Sequence, residues 1–200
     1  MGRPRTNDET VRERLLESAT ELFATRPLES ITVRALAGGA GSATAAVYSL
    51  FGSKEALIAE VRNRAVAGLF RELAAVPTSE DPVADLYALA VAYRRWGREH
   101  ANLYMALFGG VQTFDPSGTI GTNDPVRPLL HAIDRALTAS MLTGDATAIA
   151  LSLWVTLHGL VTLELAGALD TATTDATFRS AIPATLRGWT PSETDPAAHS

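Results

Sequence analysis

The sequence predicts an all-α protein of about nine helices, divided into a small N-terminal domain and a larger C-terminal domain. Apolar residues recur at intervals of three and four along most of the chain, as expected for helices with one buried face. Breaks that carry glycine or proline separate these stretches, and no stretch shows the alternation of a strand. The 200 residues are 46% hydrophobic and 20% charged, a composition that allows a buried core.

Composition and motifs exclude several classes of site. A chain without cysteine forms no disulfide and no thiolate metal site. Its four histidines lack the spacing of metal ligands, and the chain contains no G-x-S-x-G, H-E-x-x-H or phosphate-loop motif. We therefore expect neither an enzyme nor a bound metal or cofactor.

Two segments bear on the compartment of the protein. The first sixteen residues are charged throughout and lack the apolar segment of a secretory signal. The longest apolar stretch, Ala146–Leu169, is interrupted by Ser152, His158 and Glu164, which favours a buried helix over a membrane span. We expect a cytoplasmic protein that does not enter a membrane.

The first helix follows a short basic arm. Thr6 and Glu9 have the spacing of a capping box, which predicts the helix start, and Pro27 predicts its end. This arm is Gly2-Arg3-Pro4-Arg5, and it contains both Arg3 and Arg5. Such an arm either frays or becomes ordered on DNA phosphates or in a minor groove.

The second and third helices are short and close together. Thr32 is placed to cap a second helix over residues 33–37, which ends at a Gly-Gly pair. Gly41 permits the positive φ of a tight turn, and Ser42 is placed to cap a third helix that ends near Phe51. Two helices joined by a short glycine-bearing turn are typical of DNA-binding proteins.

Matched motifs extend over residues 10–57. They include Leu22-Phe23, the ITVRALA segment, the Ala40-Gly41 turn, Val47-Tyr48 and the SKEAL segment that opens a fourth helix. In these motifs the segment resembles the DNA-binding domain of TetR-type transcriptional regulators. The resemblance implies that the third helix enters the major groove of DNA. The expected DNA contacts are Arg3, Arg5, Thr32, Arg34, Ser42, Thr44, Ala45, Ala46, Tyr48, Ser49 and Lys54.

Charge limits how this segment can bind DNA. The net charge is −5, and residues 1–60 carry 7 basic and 8 acidic groups, so binding must use a local patch. Lys54, the one lysine of the chain, falls at the first turn of the fourth helix and is either a phosphate contact or a solvated side chain. The expected base-contacting face is small, so selectivity should depend on methyl contacts, DNA shape and dimer spacing.

The rest of the chain predicts a larger helical domain. A linking helix is expected over residues 53–75, followed by helices from about Asp81 to His100 and over residues 101–108. After a polar loop at 111–124, helices are expected from Pro125, from about Asp145 to Leu169, and up to Gly188. The predicted boundaries are 1–52 for the DNA-binding domain, 53–190 for the regulatory domain and 191–200 for a disordered tail. Arg94, Arg95 and Arg98 are expected to form a solvated face.

The penultimate long helix carries Trp154, His158 and Gly159 in the pattern W-x-x-x-H-G. This pattern resembles the Trp-His-Gly type of TetR-family C-terminal domain, which implies a homodimer through residues 145–188. The sequence supports a dimer independently, because a helix that is apolar on nearly every side must be buried against more than its own core. The aromatic residues are either ordinary core or the walls of an apolar effector pocket with His158 as its polar group. The candidate pocket residues are Tyr93, Trp96, Tyr104, Met105, Phe108, Trp154 and His158.

Together these features predict a dimeric, ligand-responsive transcriptional regulator, most often a repressor in the family it resembles. It would bind a palindromic operator and be released by a small, largely apolar molecule that moves the linking helix and changes the separation of the two recognition helices. Operator half-sites lie about 34–36 Å apart, so a modest change weakens binding. The alternative is a helical small-molecule-binding protein whose DNA binding is weak or lost.

Overall fold

The computed structural model describes residues 5–26, 30–108 and 124–191. Over these residues the chain forms nine α-helices and no strand, as the sequence predicts. The predicted loop at 111–124 falls outside the described residues except for Asp124, and so does the predicted tail apart from residue 191. The helices are α1 (Arg5–Thr25), α2 (Val33–Gly39), α3 (Thr44–Phe51), α4 (Lys54–Ala74), α5 (Pro82–Glu99), α6 (Ala101–Phe108), α7 (Val126–Thr138), α8 (Ala146–Leu165) and α9 (Thr171–Arg187).

The chain separates into two compact units. The N-terminal unit comprises Met1–Gly68 and His100–Thr113, and the C-terminal unit comprises Leu69–Glu99 and Phe114–Ser200. The division therefore falls within α4, and it assigns α6 to the N-terminal unit. The boundary expected from the sequence, between residues 52 and 53, lies just before α4 begins.

The N-terminal unit is built around a core from α1 to α4 with a contribution from α6. Leu15, Leu36, Val47 and Leu57 are completely buried, one from each of the first four helices. Each such side chain contributes roughly 1.5–3 kcal/mol through removal of apolar surface from water. Ala106 of α6 packs on the same cluster. This core fixes the positions of the two short helices, which are too short to be stable alone.

Two helix starts differ from the sequence prediction. Helix α1 already includes Thr6, so Thr6 is not its cap; its end at Thr25 precedes Pro27, which lies outside the described residues. Helix α3 begins at Thr44 with Ala43 as its N-cap, and no side chain caps it. Ser42 lies one residue before the cap position, because the turn after α2 extends through Ala43.

The approach of α1 to α2 requires a glycine. The Ser18 hydroxyl is buried and donates a hydrogen bond of 3.0 Å to the carbonyl of Leu36. A Cβ atom on Gly39 would lie only 2.2 Å from the Ser18 Oγ atom. The helix ends at the Gly-Gly pair, as predicted, and both glycines belong to its last turn. Gly39 is therefore a packing position, because it gives the Ser18 hydroxyl room to reach α2.

The C-terminal unit has its own core. Leu86 of α5, Ile133 of α7, Ile149 of α8 and Ile182 of α9 are almost completely inaccessible to solvent. The aspartates at two of the expected helix starts are caps: the Asp81 carboxylate accepts hydrogen bonds from the N–H groups of residues 83 and 84, and Asp145 accepts one from residue 148. At α7 the N-cap is Pro125, and the Asp124 carboxylate accepts a bond from residue 126.

An arginine inside this unit corrects the prediction of a solvated face. Arg94 is only 8% exposed and donates two hydrogen bonds of 2.9 Å to Glu164 and one of 2.6 Å to Asp175. Its guanidinium also lies over the ring of Phe178, 5.1 Å from the centroid. The hydrogen bonds to Glu164 raise the pKa of Arg94 despite its burial. Arg94 thereby joins α5 to α8 and α9. Arg95 and Arg98 are exposed, as predicted.

Candidate nucleic-acid interface

The α2–turn–α3 segment has the local geometry that the sequence predicts for a helix-turn-helix. The Thr32 hydroxyl caps α2 by accepting a 3.1 Å hydrogen bond from the N–H of Ala35. The chain then turns through Gly41, whose φ of +58° is one that glycine adopts without steric cost. The N–H of Ser42 donates a 2.8 Å bond to the carbonyl of Ala37, which ties the turn to the end of α2.

Helix α3 has one buried side and one solvent-facing side. Val47 is fully buried, and Leu50 and Phe51 pack partly on the core. Tyr48 is 56% exposed, which makes it one of the few large apolar side chains that face solvent. Of the other predicted contacts on this helix and its turn, Thr44, Ala45 and Ser49 are exposed and Ser42 and Ala46 are half-buried.

Lys54 contacts the start of α2. Its ammonium donates a 3.0 Å hydrogen bond to the carbonyl of Ile31, the residue before the α2 cap, and the side chain is half-buried. The sequence did not predict this bond. It brings the one lysine of the chain to the beginnings of both α2 and α4, where helix dipoles favour an anion. An ammonium has three N–H donors, so the bond to Ile31 leaves donors for a further acceptor.

The other predicted contacts occupy different places. Thr32 and Arg34, at the start of α2, are both exposed to solvent. Arg3 lies outside the described residues, as does the side chain of Arg5, the first residue of α1. The structure therefore brings Lys54 to the start of α2, where Thr32 and Arg34 lie, and leaves the outer side of α3 open to solvent.

Two ion pairs that the sequence did not predict join α1 to α4. Arg12 hydrogen-bonds to Glu60 of α4 through both terminal nitrogens, and its guanidinium lies 4.8 Å from the centre of the Phe51 ring. Arg64 donates two bonds of 2.7 Å to Glu13. The Arg64 bonds lower the pKa of Glu13, and the Glu60 bonds raise that of Arg12. The partners lie about fifty residues apart, so local spacing gave no signal.

Comparison with known proteins agrees with this geometry. The family description "Bacterial regulatory proteins, tetR family" matches residues 15–61, and "Tetracyclin repressor-like, C-terminal domain" matches residues 86–185. An uncharacterized HTH-type transcriptional regulator of Mycobacterium tuberculosis is 30% identical over 176 residues, which cover 86% of this chain and 78% of that protein. The chain belongs to the TetR family. It is therefore a DNA-binding transcriptional regulator of that family.

Solved structures show the same fold over almost the whole chain. The TetR family transcriptional regulator PfmR from Thermus thermophilus has a TM-score of 0.70 and 22% identity, with 90% of this chain and 98% of that chain covered. A bacterial regulatory protein in the tetR family from Rhodococcus RHA1 has a TM-score of 0.72 and 17% identity, with 92% and 98% covered. At sequence identities of 22% and 17%, these matches show that the fold is shared.

The predicted effector contacts of this TetR-family chain fall in both compact units. Trp154 and His158 stack on each other on α8, with ring centroids 5.1 Å apart, and burial lowers the pKa of His158. Tyr93 and Trp96 of α5 are buried in the same C-terminal unit. Tyr104, Met105 and Phe108 lie instead on α6 in the N-terminal unit. Tyr104 is 1% exposed, and its ring packs 4.8 Å from that of Phe108.

Three cavities within the described residues lie away from these side chains. One is bordered by the end of α4, α5 and α7, a second by the arginine-rich side of α5 with Phe178, and a third by α4 and Leu107. None of these three is lined by any of the seven predicted effector contacts.

Proposed function

We propose that this TetR-family regulator is a cytoplasmic homodimeric repressor that binds a palindromic operator and is released by a small molecule. The main support for operator binding is the exposed side of α3 next to the start of α2. Tyr48, Arg34 and the Lys54 ammonium supply an aromatic hydroxyl and two cations at this surface. Such groups contact phosphate and fix the orientation of a protein on DNA.

Base selectivity would come from few groups. Thr44 and Ala45 offer methyl groups for contact with thymine, and Ser49 offers a hydroxyl. The Ser49 hydroxyl donates a 3.2 Å hydrogen bond to the carbonyl of Ala46, so as an acceptor it remains usable. Lys54 would add a phosphate contact at the helix starts. We expect phosphate contacts and DNA shape to supply most of the affinity.

The dimer would form through α8 and α9. Leu151, Val155 and Leu163 of α8 are 41%, 56% and 46% exposed, and they lie on one side of the helix. Large apolar side chains exposed together mark an interaction surface. The length and composition of α8 would also allow a membrane span. Its Glu164, however, is held by Arg94, and the helix packs against α5, α7 and α9, which favours a second copy of the chain as partner.

The test is an electrophoretic mobility shift on the DNA that flanks the coding region of the protein. We expect a shifted complex of two chains per site, and Tyr48→Ala should weaken it without lowering the melting temperature of the free protein. If neither the wild type nor Tyr48→Ala shifts the DNA, the result would favour the alternative of a small-molecule-binding protein without operator binding. The net charge of −5 is the observation that supports this alternative. A drop in melting temperature would instead make Tyr48 a packing residue.

Dimerisation has an independent test in Val155→Glu. A charge in the proposed interface should give a monomer by analytical ultracentrifugation, whereas Val91→Glu, at a 41% exposed position on α5, should leave the dimer intact. Identical sedimentation of wild type and Val155→Glu would contradict this interface.

A further inference from the structure

Arg12 of α1 lies between α4 and the last residue of α3. Its two terminal nitrogens hydrogen-bond to the two carboxylate oxygens of Glu60 on α4, and its guanidinium lies over the ring of Phe51, 4.8 Å from the ring centre. Arg12 and Glu60 are both half-buried, with 28% and 27% of their side chains exposed. This arginine therefore links three helices of the N-terminal unit.

The two bonds to Glu60 determine where the guanidinium lies. A carboxylate that binds both terminal nitrogens of a guanidinium holds its plane in one orientation. The Phe51 ring then packs against a cation whose position is fixed, and the attraction between the ring face and the cation favours that one arrangement. Phe51 is thereby tied to α1 and α4 in addition to its partial packing on the core.

Helix α3 has few other contacts that fix its orientation. It has eight residues, and its N-terminal end lacks a side-chain cap. Val47 and Phe51 attach it to the core, but apolar burial is not directional. Among its polar side chains, Ser49 bonds within α3 itself, and none bonds to the described residues of α1, α2 or α4. The contact between Arg12 and Phe51 is therefore a directional restraint on this short helix.

A small rotation of α3 would alter its contacts with DNA. Tyr48, a proposed contact, lies less than one helical turn from Phe51. A side chain that reaches about 5–6 Å from the helix axis moves by about 2 Å when the helix rotates by about 20°. A hydrogen bond to a phosphate tolerates a change of only about 0.5 Å. Loss of the restraint on Phe51 would therefore change which DNA contacts α3 makes.

We propose that Arg12 is a positioning residue for DNA recognition: held by Glu60, it fixes Phe51 and thereby the orientation in which α3 meets DNA. Arg12 itself would not contact DNA, because both of its terminal nitrogens are bonded to Glu60, whose carboxylate also neutralises its charge. This role rests on the proposed DNA-binding surface, whereas the restraint on α3 exists in the free protein.

A second ion pair between the same two helices provides the control. Arg64 of α4 donates two bonds of 2.7 Å to Glu13 of α1, and both side chains are 42% exposed. Arg64 also lies 3.6 Å from Glu60. Within the described residues, neither Arg64 nor Glu13 has a hydrogen bond, ion pair or ring contact with α3. Arg64→Met therefore removes an arginine that joins α1 to α4, as Arg12→Met does, but leaves the cation over Phe51.

The first test is fluorescence anisotropy on the DNA that flanks the coding region, well below the melting temperature of each variant. Arg12→Met should weaken binding at least about tenfold, which corresponds to a competent orientation of α3 in about a tenth of the molecules. The slope of log K against log salt should stay at the wild-type value, because no phosphate contact is lost. Arg12→Lys should also weaken binding, because an ammonium lacks the planar fork of a guanidinium. Arg64→Met should bind like wild type.

Hydrogen exchange of the free protein, followed by mass spectrometry, tests the restraint without DNA. Arg12→Met should raise amide exchange in residues 44–51 at least about fivefold, and Arg64→Met should leave it unchanged. In a Phe51→Leu background the ring is absent, so Arg12→Met should have little further effect on either exchange or DNA affinity.

The proposal is overturned if Arg12→Met and Arg64→Met weaken DNA binding alike, if Arg12→Lys binds like wild type, or if α3 exchanges at the wild-type rate in Arg12→Met. A reduced salt slope in Arg12→Met would also overturn it, because Arg12 would then be a phosphate contact. A wild type that binds no DNA contradicts the proposed function and with it the role in recognition, while the exchange measurement still decides whether Arg12 restrains α3.

Discussion

Replacement of Gly39 by alanine tests the packing of α1 on α2, which holds the proposed DNA-binding surface together. The new Cβ would lie 2.2 Å from the Oγ and 3.2 Å from the Cβ of Ser18. Ser18 would have to rotate and lose its buried hydrogen bond to the carbonyl of Leu36. An unsatisfied buried hydroxyl costs about 1–3 kcal/mol, and the crowding adds about as much. The better helix propensity of alanine offsets about 1 kcal/mol of this cost, so we expect a net loss of about 1–5 kcal/mol.

Gly38 is the matched control, because a Cβ there meets no atom within 4 Å. Gly38→Ala should leave stability unchanged or raise it by up to about 1 kcal/mol. The assay is urea unfolding followed by circular dichroism at 222 nm. Tryptophan fluorescence is less suitable, because Trp96, Trp154 and Trp189 all belong to the C-terminal unit.

A double-mutant cycle identifies the cause of the loss. In a Ser18→Ala background the hydroxyl is absent, so Gly39→Ala should cost at least about 1 kcal/mol less than in wild type. Equal costs in the two backgrounds, or equal stability of the Gly38 and Gly39 variants, would refute the proposed conflict between the new Cβ and the Ser18 hydroxyl.

Three further perturbations follow from the fold. Arg94→Ala should lower the free energy of unfolding by up to about 3–5 kcal/mol in urea titrations, because it leaves the Glu164 side chain, which is 10% exposed, with only the 3.6 Å ion pair to Arg98; a loss below about 1 kcal/mol would contradict this role. Gly52→Ala should cost about 1–3 kcal/mol in thermal unfolding, because the φ of +82° and ψ of −41° at this position lie outside the regions that residues with a Cβ atom adopt without strain. Burial lowers the pKa of His158, so its contribution to stability is complete above the unfolded value of 6.5 and is lost as the pH falls below it. His158→Gln should flatten that part of the pH–stability curve.

Local patterns predicted the helices well because caps and periodicity are local. Thr32 caps α2 as expected, and Ala101–Phe108 is a helix with the predicted bounds. The start of α3 was wrong because two neighbouring residues, Ser42 and Ala43, fit the end of the turn, and the backbone rather than the hydroxyl decides which of them precedes the helix.

Long-range partners could not be predicted from one sequence. Arg94 finds Glu164 and Asp175 at separations of 70 and 81 residues, so its spacing from Arg95 and Arg98 suggested only an exposed face. The bond from Lys54 to the carbonyl of Ile31 is also invisible in the sequence, because every residue has a carbonyl. The aromatic residues were assigned to one pocket by composition, whereas the helices carry Tyr104 and Trp154 into different compact units.

The salt dependence of DNA binding by Arg34→Gln tests the central claim, that the surface formed by α2 and α3 holds DNA through its phosphates. Fluorescence anisotropy would be measured from about 50 to 200 mM salt on the flanking DNA, with Arg179→Gln as the control for removal of an exposed arginine. We expect Arg34→Gln to weaken binding to all sequences and to reduce the slope of log K against log salt by about 0.9 for each lost phosphate contact. Arg179→Gln should match wild type. An Arg34→Gln protein with wild-type affinity and slope would contradict this account of the interface.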